Sequence, residues 1–227
     1  MYSFFKRTID MIISFFSLIL FSPLFLLLAI MIKIDSKGPV IFKQKRLGKN
    51  GKVFNMYKFR SMVVGAEHMG TGLMNYEGDN RITKVGKFLR TTSLDELPQL
   101  FNILKGDMSL IGPRPPVEYE LGDYDTLNAR YKKRFQVRPG ITGLAQVSGR
   151  NDICWDKKVN FDGEYVDLLK KKGFVADVKI FFKTIAKIFA KEDIYENKDE
   201  NLDTVDAAEQ AAEEVIRLAH LPEEIDG

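Results

Sequence analysis

Cysteine is almost absent from this chain of 227 residues, in which Cys154 is the single one. One thiol excludes an internal disulfide and a thiolate metal cluster, and it suits a reducing compartment. We expect Cys154 to be buried. Histidine is scarce as well, with two in the chain. His68 lies in a polar stretch and His220 has no clustered partner, so neither is assigned a catalytic or metal-binding role.

Acidic residues are scarce in most of the chain and concentrated at its end. Residues 1–191 contain 32 Lys and Arg against 18 Asp and Glu, a net charge of +14, whereas residues 192–227 contain 2 against 13, a net charge of −11. The sequence therefore predicts a basic folded body and an acidic tail. A basic body indicates an anionic partner, and nucleic acid, phospholipid headgroups and a phosphorylated substrate all fit that description.

Charged residues are missing from residues 11–32, a run of 22 positions between Asp10 and Lys33. This run can span a bilayer and exceeds the apolar part of a cleaved signal peptide, so we expect it to remain in the mature protein. Ser22-Pro23 at its middle predicts a sharp bend, because proline removes a helical hydrogen bond and a serine hydroxyl can satisfy the freed carbonyl. Basic residues flank both ends, which gives weak orientation. A re-entrant hairpin with both ends cytoplasmic and a kinked spanning helix both fit.

Residues 39–62 are predicted to form a β-hairpin. Apolar side chains recur at alternating positions on both sides of a turn at residues 48–51, where Asn-Gly supplies the positive φ angles that a tight turn needs. Lys58 and Arg60 lie two residues apart and therefore share one face, which points to a common anion or to solvent.

Glycine and polar residues dominate residues 63–81, which predicts a long loop that is either a functional lid or disordered. A short basic helix should follow over residues 85–90. Residues 123–135 are predicted to form a polar helix, and residues 136–151, punctuated by proline and glycine, are predicted to form loops and short strands without a helix. A further helix is predicted over residues 155–172.

Asp95 and Glu96 are adjacent acids ahead of a short apolar run. Neighbouring carboxylates push one pKa upward and can divide the roles of nucleophile, metal ligand and base. Ser93 and Glu96 also fit a helix capping box, which would give the acids a purely structural role. Pro98 complicates that interpretation because it lacks the N–H that a helix needs, and it indicates a kinked first turn or a turn leading into the helix.

The segment 112–116, Gly-Pro-Arg-Pro-Pro, follows the acids closely. Its stiff backbone would hold Arg114, whose guanidinium suits forked binding of phosphate oxygens. This pairing of acids with a fixed arginine favours a phosphate-handling site over a simple helix cap.

Residues 174–191 carry lysines every fourth residue against a stripe of phenylalanine, valine and isoleucine. The pattern is typical of a helix lying in a membrane interface, with lysines reaching lipid phosphates. A core helix with a solvated face has the same period, but the excess of aromatic residues beside a membrane segment favours the interface.

Three motifs together carry a family resemblance: YKFRSM at residues 57–62, TSLDELPQLFNILKGDMSLIGPRP at residues 92–115, and RPGITGLAQVSGRN at residues 138–151. With the apolar run and its Ser-Pro, they resemble the bacterial monotopic polyprenyl-phosphate phosphoglycosyl transferases over residues 1–191. The acidic tail lies outside the shared pattern. Larger members carry an additional multi-span N-terminal region that these residues do not contain.

The resemblance implies a mostly helical α+β fold with a re-entrant membrane helix-hairpin, a small β-hairpin and interfacial amphipathic helices. It divides the chain into a membrane anchor (1–36), a cytoplasmic membrane-associated catalytic domain (37–191) and an acidic tail (192–227). Ser22 and Pro23 would form the bend of the hairpin. The protein is then expected at the bacterial cytoplasmic membrane, with its catalytic domain on the cytoplasmic face.

The implied reaction transfers a phosphosugar from a UDP-sugar to a membrane polyprenyl phosphate, releasing UMP. Asp95 matches the nucleophile, which forms a covalent phosphosugar intermediate, and Glu96 matches its partner; both would hold Mg²⁺. Basic residues would bind substrate phosphate, and these are Arg114, Lys58, Arg60, Arg90 and Arg138. Undecaprenyl phosphate is the expected acceptor, membrane lipids are expected contacts, a homodimer is compatible with the pattern, and nucleic acid is not expected as a partner.

A nonenzymatic alternative keeps the basic body as a membrane anchor and the acidic tail as a recruiting segment. It predicts liposome binding that needs no metal and weakens steeply with salt, without consumption of any UDP-sugar. Which sugar is transferred does not follow from the sequence.

Overall fold

The computed structural model of the chain describes residues 2–70, 72, 78–149 and 154–190. This part is α+β and mostly helical, as predicted, with two small sheets. In chain order its elements are α1 (Tyr2–Leu20), α2 (Ser22–Asp35), β1 (Ile41–Leu47), β2 (Val53–Phe59), α3 (Lys84–Thr91), α4 (Gln99–Lys105), β3 (Ser109–Ile111), α5 (Ala129–Lys132), β4 (Gly140–Thr142), α6 (Leu144–Gly149), α7 (Trp155–Lys172) and α8 (Phe174–Ala190). The acidic tail lies outside the described residues, and the division into anchor, catalytic domain and tail stays a prediction.

The β-hairpin prediction is confirmed. Strands β1 and β2 pair antiparallel with Lys43 opposite Tyr57. The turn uses positive φ angles at Asn50 (56°) and Gly51 (75°), as the Asn-Gly pair indicated. One face of β2 buries Phe54 and Met56 against α4 in an apolar cluster completed by Leu100, Ile103 and Met108. The hairpin is thereby fixed to the helix that follows the two acids.

Strands β3 and β4 form a parallel pair, with Ser109 opposite Gly140. Immediately after β3, a Cβ at Gly112 would overlap the carbonyl of Arg138, so only glycine allows the two segments to approach this closely. Gly112 N–H donates to the Thr142 carbonyl at 2.8 Å. The start of the segment 112–116 is therefore held by β4.

Three predictions about the second half of the chain are wrong. The polar helix expected over residues 123–135 is broken into α5 and two 3₁₀ turns, because Asn128 accepts a hydrogen bond from Tyr131 N–H and starts a new helix there. The expectation of no helix in residues 136–151 misses α6. The helix over residues 155–172 is confirmed as α7, whereas Cys154, expected to be buried, is exposed just before it.

Helices α1 and α2 are separated by a bend of 63° at the predicted Ser22-Pro23. The Ser22 hydroxyl donates to the Ile19 carbonyl at 2.8 Å, and Pro23 lies in the first turn of α2. Among the described helices, none alone is long and apolar enough to cross a bilayer. The bent pair together reaches that length and composition.

Both ends of the bent pair are bonded to the same body. Near the start of α1, Lys6 pairs with Asp177 of α8 at 2.7 Å. Farther along α1, Asp10 accepts from the Ser109 hydroxyl of β3 at 2.7 Å. After the end of α2, the Ser36 carbonyl accepts from Arg60 at 2.6 Å. Both helices are therefore held to one body at their outer ends, and Leu18 and Phe25 beside the bend also pack against its apolar clusters.

Helix α8 packs against the body through one face and leaves Phe181 and Phe182 outside. Ala176 and Ile180 are buried, whereas Phe181 and Phe182 are 51% and 64% exposed. Large apolar side chains are also exposed along α1 and α2. Lys187, at the fourth-residue spacing of the predicted stripe, lines an interior cleft.

Candidate active site

Asp95 and Glu96 lie on one 3₁₀ turn, Leu94–Glu96, between α3 and α4. Ser93 precedes it in the left-handed region, with φ 56°, and its side chain does not cap the turn. Pro98 follows directly, and α4 begins after it. The capping-box interpretation is therefore wrong, and the acids occupy a turn leading into the helix. Both line the same cleft.

Glu96 binds two cations through one oxygen. Its Oε1 lies 2.9 Å from Lys58 Nζ and 2.8 Å from Arg114 Nη2. Burial alone would raise the pKa of Glu96, but the charges and hydrogen bonds of Arg114 and Lys58 outweigh burial and hold that pKa well below its usual range. Glu96 is therefore ionised and serves as the anchor of two basic side chains.

Asp95 has a looser ion pair. Its side chain is buried, and its Oδ2 lies 4.0 Å from Lys58 Nζ. Burial raises the pKa of Asp95 and the neighbouring charge of Glu96 adds to that rise, while Lys58 opposes it. The adjacent acids are thus made unequal: Glu96 is held by cations, and Asp95 is the more basic carboxylate, which suits a nucleophile.

The cations around the acids remain able to meet a further anion. Burial lowers the pKa of Lys58, whereas the charge of Glu96 raises that of Arg114. The Arg114 side chain is 41% exposed, so its guanidinium reaches open space in the cleft. Arg134 donates to the carbonyl of Arg114, which fixes the backbone behind that side chain. Phosphate oxygens would find two cations here, both tied to Glu96.

Arg46 is a basic residue of the cleft that the sequence did not single out. It donates to Gln44 Oε1 at 2.6 Å and to the Pro115 carbonyl at 2.8 Å. Burial and the charge of Arg114 lower the pKa of Arg46 to about 10. The hairpin register could have revealed it, because Arg46 lies opposite the buried Phe54 and therefore shares the inner face.

Of the remaining basic residues predicted to bind phosphate, one lines the cleft and another does not. Arg90 lines the cleft together with Asp95. Arg138 does not line it, and its Nε donates to the Gly106 carbonyl at 2.9 Å. The structure thus brings Lys58, Arg90 and Arg114 to the acids, and it places Arg138 elsewhere.

Arg60 lines the cleft wall, but its guanidinium is occupied by backbone. It is 5% exposed and donates to the carbonyls of Ser36, Lys37 and Ile32 at 2.6, 2.8 and 3.3 Å. In this geometry the Arg60 side chain stabilises the end of α2. Its predicted phosphate-binding role stays a prediction.

Arg60→Met is expected to destabilise the fold by about 3 kcal/mol, because a buried guanidinium would be lost and three carbonyls at the end of α2, that of Ile32 buried, would lose their donor. Thermal unfolding in detergent should show a midpoint about 6 to 12 °C lower. Arg130→Met is the matched control: that side chain is 49% exposed and pairs with Asp156 at 3.1 Å. Its loss should cost no more than about 1 kcal/mol. An Arg60→Met protein with an unchanged midpoint and weaker phosphate binding would instead support the predicted ligand role.

One cleft of about 640 Å³ is lined by the two acids and by residues of α6, α7 and α8. Part of its wall is the loop expected to be a lid or disordered. The described residues of that loop are ordered by Arg81, which pairs with Asp79 at 2.6 Å and donates to the carbonyls of Ala66, Met69 and Gly72. Residues 71 and 73–77 lie outside the description. His68 is exposed in this loop.

A metal ion would find only part of its ligands in the protein. Within the described ranges, no group of three or more His, Cys, Asp or Glu is arranged to hold one. Asp95 and Glu96 offer oxygen ligands from a single turn. Mg²⁺ is commonly bound through one or two carboxylates together with waters and substrate phosphates. The pair therefore fits Mg²⁺ shared with a phosphorylated ligand.

Comparison with known proteins shows the family of the chain. Residues 1–191 match the family model described as bacterial sugar transferase. A UDP-glucose:undecaprenyl-phosphate glucose-1-phosphate transferase of Klebsiella pneumoniae is 47% identical over 194 residues, which cover 84% of this chain and 41% of that protein. An undecaprenyl-phosphate galactose phosphotransferase of Salmonella typhimurium is 43% identical over 206 residues, covering 85% of this chain and 42% of that protein.

A relative of more similar length is the exopolysaccharide production protein ExoY of Rhizobium meliloti. It is 40% identical over 197 residues, which cover 81% of this chain and 84% of that protein. The chain spans about two fifths of the length of the Klebsiella and Salmonella relatives.

Proposed function

The chain belongs to the bacterial sugar transferase family, and from that premise we propose that it transfers a phosphosugar from a UDP-sugar to a membrane polyprenyl phosphate. The observation that carries the proposal is the unequal pair of acids. Asp95 is the more basic carboxylate, and Glu96 holds Lys58 and Arg114 at 2.9 and 2.8 Å beside it. A carboxylate can attack a phosphodiester only where cations offset the charge of the phosphate oxygens.

In the first step, an Asp95 carboxylate oxygen attacks the sugar-bearing β-phosphorus of the UDP-sugar. The bond from that phosphorus to the oxygen bridging to the α-phosphate breaks, and its electron pair leaves with UMP. Lys58 and Arg114 offset the negative charge on the nonbridging oxygens. The products of this step are UMP and a phosphosugar bound to Asp95 through an acyl phosphate.

In the second step, an oxygen of the polyprenyl phosphate attacks the same phosphorus. The bond to Asp95 breaks, the carboxylate is regenerated, and polyprenyl-diphosphate sugar forms. Glu96 holds the same two cations throughout. Because each step only exchanges one oxygen on phosphorus for another, no oxidant or further reactant is needed.

Asp95 and Glu96 are the residues that would hold Mg²⁺ in this proposal. When bound, the ion supplies further neutralisation of the diphosphate charge. The short distance from Glu96 to its two cations leaves Asp95 as the acid with the weaker protein partner. That is the carboxylate we expect to give an oxygen to the ion.

The bent pair α1 and α2 is proposed to enter the membrane as a re-entrant hairpin. Support comes from its exposed apolar side chains and from the bonds that hold both of its ends to one body: Lys6 to Asp177, and Arg60 to the Ser36 carbonyl. A helix pair crossing the bilayer would carry its ends to opposite sides. Basic residues near both ends favour the cytoplasmic face of the bacterial membrane, and exposed Phe181 and Phe182 would let α8 lie in the interface.

Undecaprenyl phosphate is the proposed acceptor, because the names of the similar proteins from Klebsiella and Salmonella both include it. Those names differ in the sugar, glucose in one and galactose in the other. The donor is therefore proposed as a UDP-sugar, without a choice of sugar.

The test is a panel of UDP-sugars, each incubated with purified protein, Mg²⁺ and undecaprenyl phosphate and assayed for UMP. Release of UMP with at least one donor, together with a glycosylated lipid product, is the expected result. UMP release should stop when Mg²⁺ is chelated. A protein that binds liposomes but releases no UMP from any donor would overturn the proposal and leave the nonenzymatic anchor.

A further inference from the structure

One end of the cleft is lined by residues of the 3₁₀ turn Lys133–Gln136 and of helices α6 and α7. Arg134 and Asp162 lie there, 3% and 1% exposed, and pair at 3.0 Å. The guanidinium of Arg134 also lies over the ring of Trp155, with 5.0 Å from Cζ to the centroid. This end is therefore a polar site with an aromatic side, enclosed by the protein.

Several polar atoms at this end make no hydrogen bond to any described residue. They are both amide atoms of Gln146, Nη1 of Arg134 and both carboxylate oxygens of Asp162, the last being ion-paired without a hydrogen bond. A buried polar atom without a partner loses its hydrogen bonds to water without replacement, so such atoms are uncommon unless something else satisfies them. Their concentration at one end of a substrate cleft indicates a ligand.

The same end is connected to the site of phosphoryl transfer. Arg134 Nη2 donates to the carbonyl of Arg114, whose own side chain lies 2.8 Å from Glu96. Arg134 thus bonds both to the backbone of the phosphate-suited arginine and to Asp162. Lys58, Arg114, Gln146 and Asp162 line the same cleft, so one ligand with its diphosphate at Lys58 and Arg114 can extend past Arg134 toward Gln146 and Asp162.

We infer that this end of the cleft binds the nucleoside of the UDP-sugar, an inference that rests on the proposed function. The Gln146 amide offers one acceptor and one donor side by side, which matches the N3–H and the adjacent carbonyl of uracil. Asp162 offers carboxylate oxygens, the group that accepts hydrogen bonds from ribose hydroxyls in nucleotide sites. Gln146 is then a specificity residue for the leaving group, UMP.

Trp155 makes the inference measurable, because it is the single tryptophan of the chain and it lines this end. UMP can be titrated into the purified full chain in lipid nanodiscs while the emission of Trp155 is followed. Glucose 1-phosphate, which carries a phosphate and a sugar but no base, is titrated in parallel. We expect UMP to change the emission at saturation and to give a dissociation constant.

Gln146→Met is the informative variant, because methionine keeps the size of the side chain and removes two unpaired polar atoms. UMP should bind about tenfold more weakly, since two hydrogen bonds to the base are lost. The thermal unfolding midpoint should stay the same or rise, which a merely structural role for Gln146 does not predict. Gln136→Met is the matched control: Gln136 is exposed and accepts from Lys170 at 3.0 Å, and its replacement should leave UMP affinity unchanged.

Equal UMP affinity in Gln146→Met and the unsubstituted chain would overturn the inference. So would weaker binding of glucose 1-phosphate with unchanged binding of UMP, because the site would then hold the sugar. These results are distinct from failure of the proposed function, in which the unsubstituted chain would neither bind UMP nor release it from any UDP-sugar. A second variant, Gln146→Ala, applies the same test if the methionine packs poorly.

Discussion

Asp95→Asn should lower UMP release at least about 10³-fold, because an amide cannot attack phosphorus as a carboxylate does. The replacement is isosteric, and it removes a buried acid whose pKa is raised by burial and by the charge of Glu96. The folded state should therefore be no less stable, and loss of activity cannot be ascribed to unfolding. UMP release and the thermal unfolding midpoint, measured on the same preparation, separate the two effects.

A covalent trapping experiment makes this prediction sharper. With a UDP-sugar labelled in the sugar and no polyprenyl phosphate, the unsubstituted chain should retain label and release one equivalent of UMP. Asp95→Asn should retain none. Asp125→Asn is the control, since Asp125 is exposed on the 3₁₀ turn before α5. Undiminished turnover in Asp95→Asn would remove this residue as the nucleophile, whatever the other residues do.

The two acids could be found from the sequence because they are neighbours in it, but their division of roles could not. Glu96 receives Lys58 from 38 residues earlier and Arg114 from 18 residues later. The sequence places basic residues in the same motifs without saying which acid each will meet. Only the packing of β2 and the segment 112–116 around one turn decides that Glu96 is the anchor and Asp95 the more basic carboxylate.

The contacts of Arg60 and Arg138 could not be predicted from the sequence either. Both arginines lie in motifs that carry the family resemblance, and the sequence predicts that both bind phosphate. In the fold, Arg60 meets carbonyls at the end of α2 and Arg138 meets the carbonyl of Gly106. A guanidinium donates to backbone carbonyls as well as to phosphate, so residue type alone does not show which of the two an arginine meets in the fold.

Secondary structure could be predicted where residues close together in the sequence determine it. The Asn-Gly turn required positive φ, and helix 155–172 has a Gly173 just beyond its end. Helix α6 was missed because Gly140 and Gly143 indicated irregular backbone. Those glycines serve close approach to residue 112: a Cβ at either position would overlap backbone of Gly112. The glycines are needed for close packing between segments, whereas in the sequence they indicate a local break in regular structure.

Glu96→Gln should lower the rate of covalent labelling about 10²-fold or more, and the reason lies in its two partners. A neutral glutamine leaves Lys58 and Arg114 without their counter-charge. Lys58, whose Nζ is already 4.0 Å from Asp95 Oδ2, would then move to Asp95 and pair with it closely. A carboxylate paired in this way has a lower pKa and is a weaker nucleophile. Single-turnover labelling, which excludes the acceptor step, measures this directly.

A double-mutant cycle tests whether Glu96 acts by holding Lys58. If it does, Lys58→Met should cost much less activity in the Glu96→Gln background than in the unsubstituted chain, because the lysine then suppresses the nucleophile as well as assisting the phosphate. Glu118→Gln is the control, since Glu118 is 41% exposed and pairs with Lys45 at 3.7 Å. Additive losses for Lys58→Met and Glu96→Gln would show that the two side chains act independently, and Glu96 would then be needed for some purpose other than keeping Lys58 from Asp95.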